Sequence, residues 1–228
     1  MRKTKRIVFE CMHGLNLQFS NSMDKINFII TSNQTKFPNV NFNPSTNLLH
    51  LSNPNIKGNL LIDSNRMVMD IQDPIDIDEI YKNYMQSINM LIENFNINQF
   101  MRVGIRIFIG EEKDNPKDIE KIILNKFINK NNISVSEYGE DIIDVRFGFG
   151  TSYGEYKINH NFSKLINQNI TVSYGRTETK TNYFIIYDID FYKDVPSPSN
   201  SLDSIFKDAK DRISVCSDKF FSSIGDAK

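Results

Sequence analysis

The chain has no tryptophan, two cysteines, three histidines and almost no alanine in its 228 residues. Each scarcity removes a class of reading. Cys11 and Cys216 stand at opposite ends and form no metal-ligand spacing. Both fall in apolar patterns and read as small buried hydrophobes. His13, His50 and His160 are scattered, without the spacing of a zinc or catalytic cluster. Charge of neither sign dominates: 27 basic residues face 28 acidic ones, for a net charge of -1. No global field draws the chain to nucleic acid or an anionic membrane, and that balance argues against a nucleic-acid partner. No stretch approaches the roughly 18 apolar residues of a membrane span. The basic start, Met1 to Arg6, runs through Ile7-Val8-Phe9 straight into Glu10, so no signal-peptide core follows it. These absences point to a cytoplasmic protein without a membrane partner.

Asparagine and isoleucine are abundant, a bias that an AT-rich coding sequence explains. Apolar content of 39% and a length of 228 residues suffice for one sizeable core. Residues 6–19 alternate, with Ile7, Phe9 and Cys11 on one face, and predict a strand with a bulge or hairpin at His13-Gly14. Ile26 to Thr31 reads as a second strand. Residues 32–47, with Pro38 and Pro44, read as a long loop. Leu48–Leu51 is a short strand, and Leu60–Asp63 and Met67–Ile71 flank a hairpin turn at Ser64-Asn65-Arg66. Asp76 and Glu79 have the spacing of a capping box. From there Ile80, Tyr84, Ile88, Leu91, Ile92 and Phe95 recur at helical intervals. A strand around Phe100–Gly110 follows, then a helix with Pro116 at its first position. Strands are expected at 142–153, 156–162, 170–174 and 183–192. A last helix over about 202–222 buries Ile205, Ala209, Ile213, Cys216 and Phe220.

Strands grouped between few helices predict an α+β fold. The sheet is mainly antiparallel, with two long helices and one shorter helix packed on it. The reading is one domain over residues 1–228. A loose two-fold rhythm suggests two similar halves, 1–97 and 98–228, although no residue-level repeat is apparent.

No Walker-type phosphate loop, dinucleotide fingerprint, zinc-protease motif or serine elbow occurs. Gly148-Phe149-Gly150 lies in strand-like sequence without a helix start behind it and reads as a bulge or close backbone approach. The informative segment is Tyr183–Tyr192. Side chains alternate along a strand, so Asp188 and Asp190 share a face. Arg102 and Arg106 share a face of their own strand, with Gly104 between them. If the two strands are neighbours, Arg102, Arg106, Asp188 and Asp190 form structural ion pairs across the sheet, because an arginine fork matches a carboxylate bidentately. The catalytic alternative places Mg²⁺ on Asp188 and Asp190, with Asp144 as a third acid, for phosphoryl transfer or nuclease chemistry. A third possibility is a ligand pocket lined by Tyr187, Tyr174 and Arg146. Aromatic residues at 153–156 and 174–176 could stack on bases, with Arg176 and Lys180 nearby, though such residues more often form cross-strand pairs.

Three segments in order carry a family likeness: Met101-Arg102-Val103-Gly104-Ile105-Arg106, Tyr187-Asp188-Ile189-Asp190-Phe191-Tyr192, and a closing helix ending Phe220-Phe221-Ser222-Ser223-Ile224. With the helix Ile80–Phe95 before them, they resemble a sporadically distributed family of uncharacterised bacterial proteins. Its members pair an Arg-x-Gly-x-Arg strand with a late Asp-x-Asp strand and a closing helix. The likeness spans residues 67–224. The N-terminal third departs from it, lacking a proline-led opening. The resemblance brings no activity with it, and its patchy distribution suggests a mobile-element or defence setting. The expectation is a binding or interaction module without a cofactor, acting on a protein partner or on a second copy of itself.

Overall fold

The computed structural model describes residues 2–127, 144–173 and 176–225. The fold is α+β. A nine-stranded antiparallel sheet comprises β1 (Arg2–Met12), β2 (Asn39–Asn43), β3 (Leu48–Asn53), β4 (Gly58–Ile62), β5 (Arg66–Gln72), β7 (Arg102–Lys113), β8 (Phe147–Tyr153), β9 (Tyr156–Ser173) and β10 (Arg176–Lys193). Their spatial order is β2-β3-β4-β5-β1-β7-β10-β9-β8. Short strands β6 (Gln99–Phe100) and β11 (Ser197–Pro198) pair separately. The helices are α1 (Leu17–Asn21), α2 (Met23–Asn33), α3 (Ile77–Phe95), α4 (Pro116–Phe127) and α5 (Leu202–Gly225). None of them, among the described residues, is long and apolar enough to cross a membrane.

Alternation decides which face is covered. Ile7, Phe9 and Cys11 of β1 share the buried side with Met67, Met69 and Ile71 of β5. Val103, Ile105 and Ile107 of β7 continue it into Ile189 and Phe191 of β10. All five helices lie on this side. Phe9 stacks on Tyr84 of α3 and meets Phe206 of α5 edge-on. Phe19 of α1 packs on Phe95, and Phe127 of α4 packs on Phe162. The opposite face of the central strands carries no helix among the described residues.

Helix α3 starts as its capping residues require. The Asp76 carboxylate accepts from the Asp78 and Glu79 backbone N–H groups, and Asn96 closes the helix in the left-handed conformation at φ 54°. The Asn115 side chain likewise accepts from the backbone N–H of Lys117 at the start of α4, where Pro116 has no N–H to satisfy.

Several local expectations are corrected, among them the separate strands at 156–162 and 170–174, which are one strand, β9. Ile26–Thr31 is helical, inside α2. Ile26, Ile29 and Asn33 fall on one side at helical spacing and are fully buried, while Phe28 faces outward. The Asn33 side chain takes the Ser87 hydroxyl of α3 at 2.7 Å. The β-branched run suggested a strand, but burial against α3 decides the matter. β1 ends at Met12 and no hairpin follows. Gly14 turns the chain at φ +77°, and the Asn16 side chain caps α1. The expected loop at 32–47 also holds a strand, β2. The expected strand at 142–153 is seen as β8, with residues 128–143 outside the described residues.

The strand registers bring out a residue-level correspondence that spacing alone did not show. In both passes of the chain a central strand (β1, β7) leads through helix to an antiparallel meander whose last strand (β5, β10) returns to the central strand, and a long helix follows (α3, α5). Val8 lies opposite Asp70 just as Phe108 lies opposite Asp188. Arg6, Ile7 and Val8 therefore correspond to Arg106, Ile107 and Phe108. Ile7 pairs with Ile107 across the β1–β7 seam, which places a local two-fold axis through that pair.

Candidate functional site

On the helix-free face the corresponding residues build two matched arginine forks. Arg6 donates from Nε to Asp70 Oδ1 at 2.8 Å and from Nη2 to Oδ2 at 2.7 Å. Arg106 donates to Asp188 in the same way, at 2.8 and 2.7 Å. Each fork is diagonal, since Arg106 lies directly opposite Asp190 and leans to Asp188. Bonding to the carboxylate holds both guanidinium groups above their ordinary range. The carboxylates sit low and the arginines high. The Asp70 and Asp188 side chains are 20% and 10% exposed, against 44% and 46% for Arg6 and Arg106. Both guanidinium groups lie over the Phe108 ring, at 5.4 and 4.9 Å.

Arg102 completes the cluster differently. Its guanidinium stacks on Tyr192 at 3.9 Å, and it reaches Glu10 at 3.2 Å and Asp190 at 3.5 Å. Gly104 makes this possible. It lies between Arg102 and Arg106 on the same face, opposite Tyr192, and a Cβ there would sit 3.0 Å from the Tyr192 Cβ and 3.3 Å from the Phe191 carbonyl oxygen. The result is a depression of about 210 Å³, lined by Arg6, Arg102, Gly104, Arg106, Phe108 and Asp190, with Val8 and Glu10 at its side.

The two acids singled out from the sequence have distinct roles. Asp188 has both oxygens bound by Arg106, with Asn161 donating to Oδ2 at 3.4 Å. Asp190 has only long contacts, from Arg102 and from Asn159, each at 3.5 Å. Burial therefore pushes its carboxyl above the ordinary range, and Arg102 and Arg106 offset this only in part. Asp190 is the acceptor with capacity to spare.

Other candidate residues lie elsewhere. Asp144 binds Arg146 at 3.0 Å, before β8 and two strands from β10. Among the described residues, no group of three or more His, Cys, Asp or Glu is placed to hold a metal ion. Tyr187 is buried on the helix side, where its hydroxyl meets His160 Nδ1 at 2.5 Å. Arg146 is 80% exposed, and Tyr174 lies outside the described residues. Of the described members of that expected pocket, Tyr187 is buried and Arg146 is exposed before β8. His50 bonds Asn59 out on β3, and His13 bonds the Gly14 carbonyl. Cys11 is fully buried, and burial pushes its thiol up to about 12. Cys216 is half-buried.

Sequence reading missed Arg6, Glu10, Asp70 and Phe108. Arg6 was absorbed into the basic start, and Asp70 is a single acid in an apolar strand. The available signal was Arg6-Ile7-Val8 against Arg106-Ile107-Phe108, and Asp70-Ile71 against Asp188-Ile189, each acid following an apolar run.

No family model matches the chain. A stretch of 55 residues is 36% identical to part of UDP-N-acetylmuramate--L-alanine ligase of Rickettsia prowazekii. It covers 24% of this chain and 11% of the ligase, so the chain spans about a ninth of the length of that protein. A match of this extent shows no family.

Proposed function

We propose that the protein is a binding module that docks a protein partner on the helix-free face of its sheet. The observation behind this reading is the pair of matched forks. Each carboxylate takes the Nε and Nη2 edge of its arginine, and the remaining N–H donors stay half-exposed toward solvent. An arginine already held in place loses less freedom when it binds, which suits it to anchor an interface. Phe108 and Tyr192 supply flat apolar area beneath the guanidinium groups, and Asp190 supplies an acceptor. The partner in this reading presents carboxylate or carbonyl oxygens to Arg6 and Arg106, and a donor to Asp190.

Hydrogen exchange on the protein isolated with its partner tests the reading. Protection is expected along β1, β7 and β10. Val8→Gln and Phe108→Gln should abolish the complex, with circular dichroism and melting showing that each variant is folded. A complex that survives both substitutions, or protection confined to the helix side, overturns the proposal. The phosphoryl-transfer alternative requires Mg²⁺ to displace Arg106 from Asp188, since both oxygens are engaged. Melting of wild type and Asp188→Asn with and without Mg²⁺ separates the two readings. A magnesium-dependent rise confined to wild type would favour the enzyme.

A further inference from the structure

The sheet ends at β2, which is bonded to β3 on one side and to nothing on the other among the described residues. An outer strand presents a row of free N–H and C=O groups, and proteins blunt such rows with charged side chains, prolines, bulges or a covering loop. Two other free edges are weaker templates. β8 is interrupted by Gly148 and Gly150, and the end of β10 that runs past β7, beyond Tyr183, carries Glu178 and Lys180. β2 has none of these devices. Its five residues, Asn39-Val40-Asn41-Phe42-Asn43, are uncharged and pair with β3 without a register shift. Pro38 and Pro44 stand just outside it. All its residues but Phe42 are exposed, and Val40 is 41% exposed opposite the fully buried Leu51.

The strand is also its own complement. An antiparallel pair formed about a two-fold axis at Asn41 sets residue 40 opposite 42 and residue 39 opposite 43. Val40 of each copy then meets Phe42 of the other, on the side of the sheet where Leu49 and Leu51 of β3 lie. On the opposite face Asn41 meets Asn41, and Asn39 meets Asn43. A side-chain amide is both donor and acceptor, so asparagine pairs with itself. The flanking prolines fix this register. An axis at Val40 sets Pro38 opposite Phe42, and an axis at Phe42 sets Pro44 opposite Val40; in both, proline brings no N–H to the ladder. With a net charge of -1, two copies approach without strong long-range repulsion.

We propose that the protein forms a two-fold dimer with a second copy of itself through β2, Asn41 facing Asn41 across the axis. The axis stands perpendicular to the sheet, so the nine strands of each copy join in one continuous sheet and both helix-free faces look the same way. The docking face proposed above is thereby presented twice, but the dimer does not rest on that reading. A five-residue edge buries less than about 1,200 Å², so the association is weak, with a Kd of about 10–100 µM.

Sedimentation velocity of the full chain between about 2 and about 200 µM tests this. The wild type should pass from monomer to dimer over that range. Asn41→Lys and Asn41→Asp each set like charges against each other at the axis, and each should weaken the dimer about tenfold or more. An equal mixture of the two variants should associate more tightly than either alone, because opposite charges then meet. Val40→Lys, at the exposed neighbouring position, should also weaken the dimer about tenfold. Circular dichroism and melting show that each variant is folded. A wild type that stays monomeric at about 200 µM overturns the proposal and leaves the edge to a strand of another protein. A dimer that the folded variants retain at wild-type strength overturns it as well. A mixture that associates no better than the separate variants overturns the register.

Discussion

The two halves of the sheet share one arginine fork and differ in what stands beside it. Arg6–Asp70 and Arg106–Asp188 have the same distances, donor atoms and diagonal geometry. By chain count the counterpart of Arg102 is Arg2, and by register the counterpart of Asp190 is Gln72. A bulge between Thr4 and Arg6 turns Arg2 to the helix side, where it lies over Phe221 and reaches Asp218. Arg102 stays on the open face, over Tyr192 and beside Glu10 and Asp190. What the halves hold in common is what the sheet needs for its charged residues to be paired. What they do not share is the depression beside Gly104 and the poorly bonded Asp190, which in the proposed binding reading add a recess and an acceptor to the surface that the forks present.

The comparison can be broken at the forks first. Asp188→Ala and Asp70→Ala should each cost about 2 kcal/mol in chemical denaturation, since each strands an arginine and removes two charge-assisted hydrogen bonds. Similar costs are expected at the two sites. A cost at only one would mean that the halves do not share a structural element. Gly104→Val should follow, at about 1–3 kcal/mol, because the new side chain meets Tyr192 and the Phe191 backbone. Gly110→Ala should cost less, since its neighbours are the movable ends of Ile186 and Lys5.

The asymmetric acid gives a smaller, pH-dependent effect. The carboxyl of Asp190 is raised in the folded state above its ordinary 3.8. Its contribution to stability is therefore fully present below that value and is lost as pH rises through the folded value. Asp190→Asn should remove this loss. Relative to wild type the variant gains stability as pH rises above 3.8, as read from paired denaturation curves. The smallest effect belongs to His160. Burial, with Arg212 nearby, lowers its pKa below 6.5, so the unfolded chain takes up its proton first. Stability should fall as pH drops below about 6.5, and His160→Gln should flatten part of that slope. His13, lowered by burial, has the same sign and accounts for a share of the remainder.

The strong periodicities were readable. α3, α5, β7 and β10 follow from apolar spacing, and the shared faces of Arg102 with Arg106 and of Asp188 with Asp190 follow from strand alternation. That β7 and β10 are neighbours did not follow, because pairing over some eighty positions depends on topology and leaves no local signal. Residues 26–31 misled for the opposite reason. A β-branched run satisfies both templates, and only contact with α3 chooses between them. The matched forks stayed hidden because two Arg-Ile and two Asp-Ile pairs are too short to stand out before the registers align them.

The β1–β7 seam also sets an order of events. Each meander joins strands close along the chain, whereas Ile7 and Ile107 meet across about a hundred residues. Loop-closure entropy and contact order make such a pairing late and slow. The meanders can form early, whereas the forks tie them to the central strands across 64 and 82 positions and the seam joins Ile7 to Ile107. Closing the seam is then the step expected to limit the rate of folding. A substitution at Ile7 or Ile107 should slow folding more than an equally destabilising one in β3 or β4.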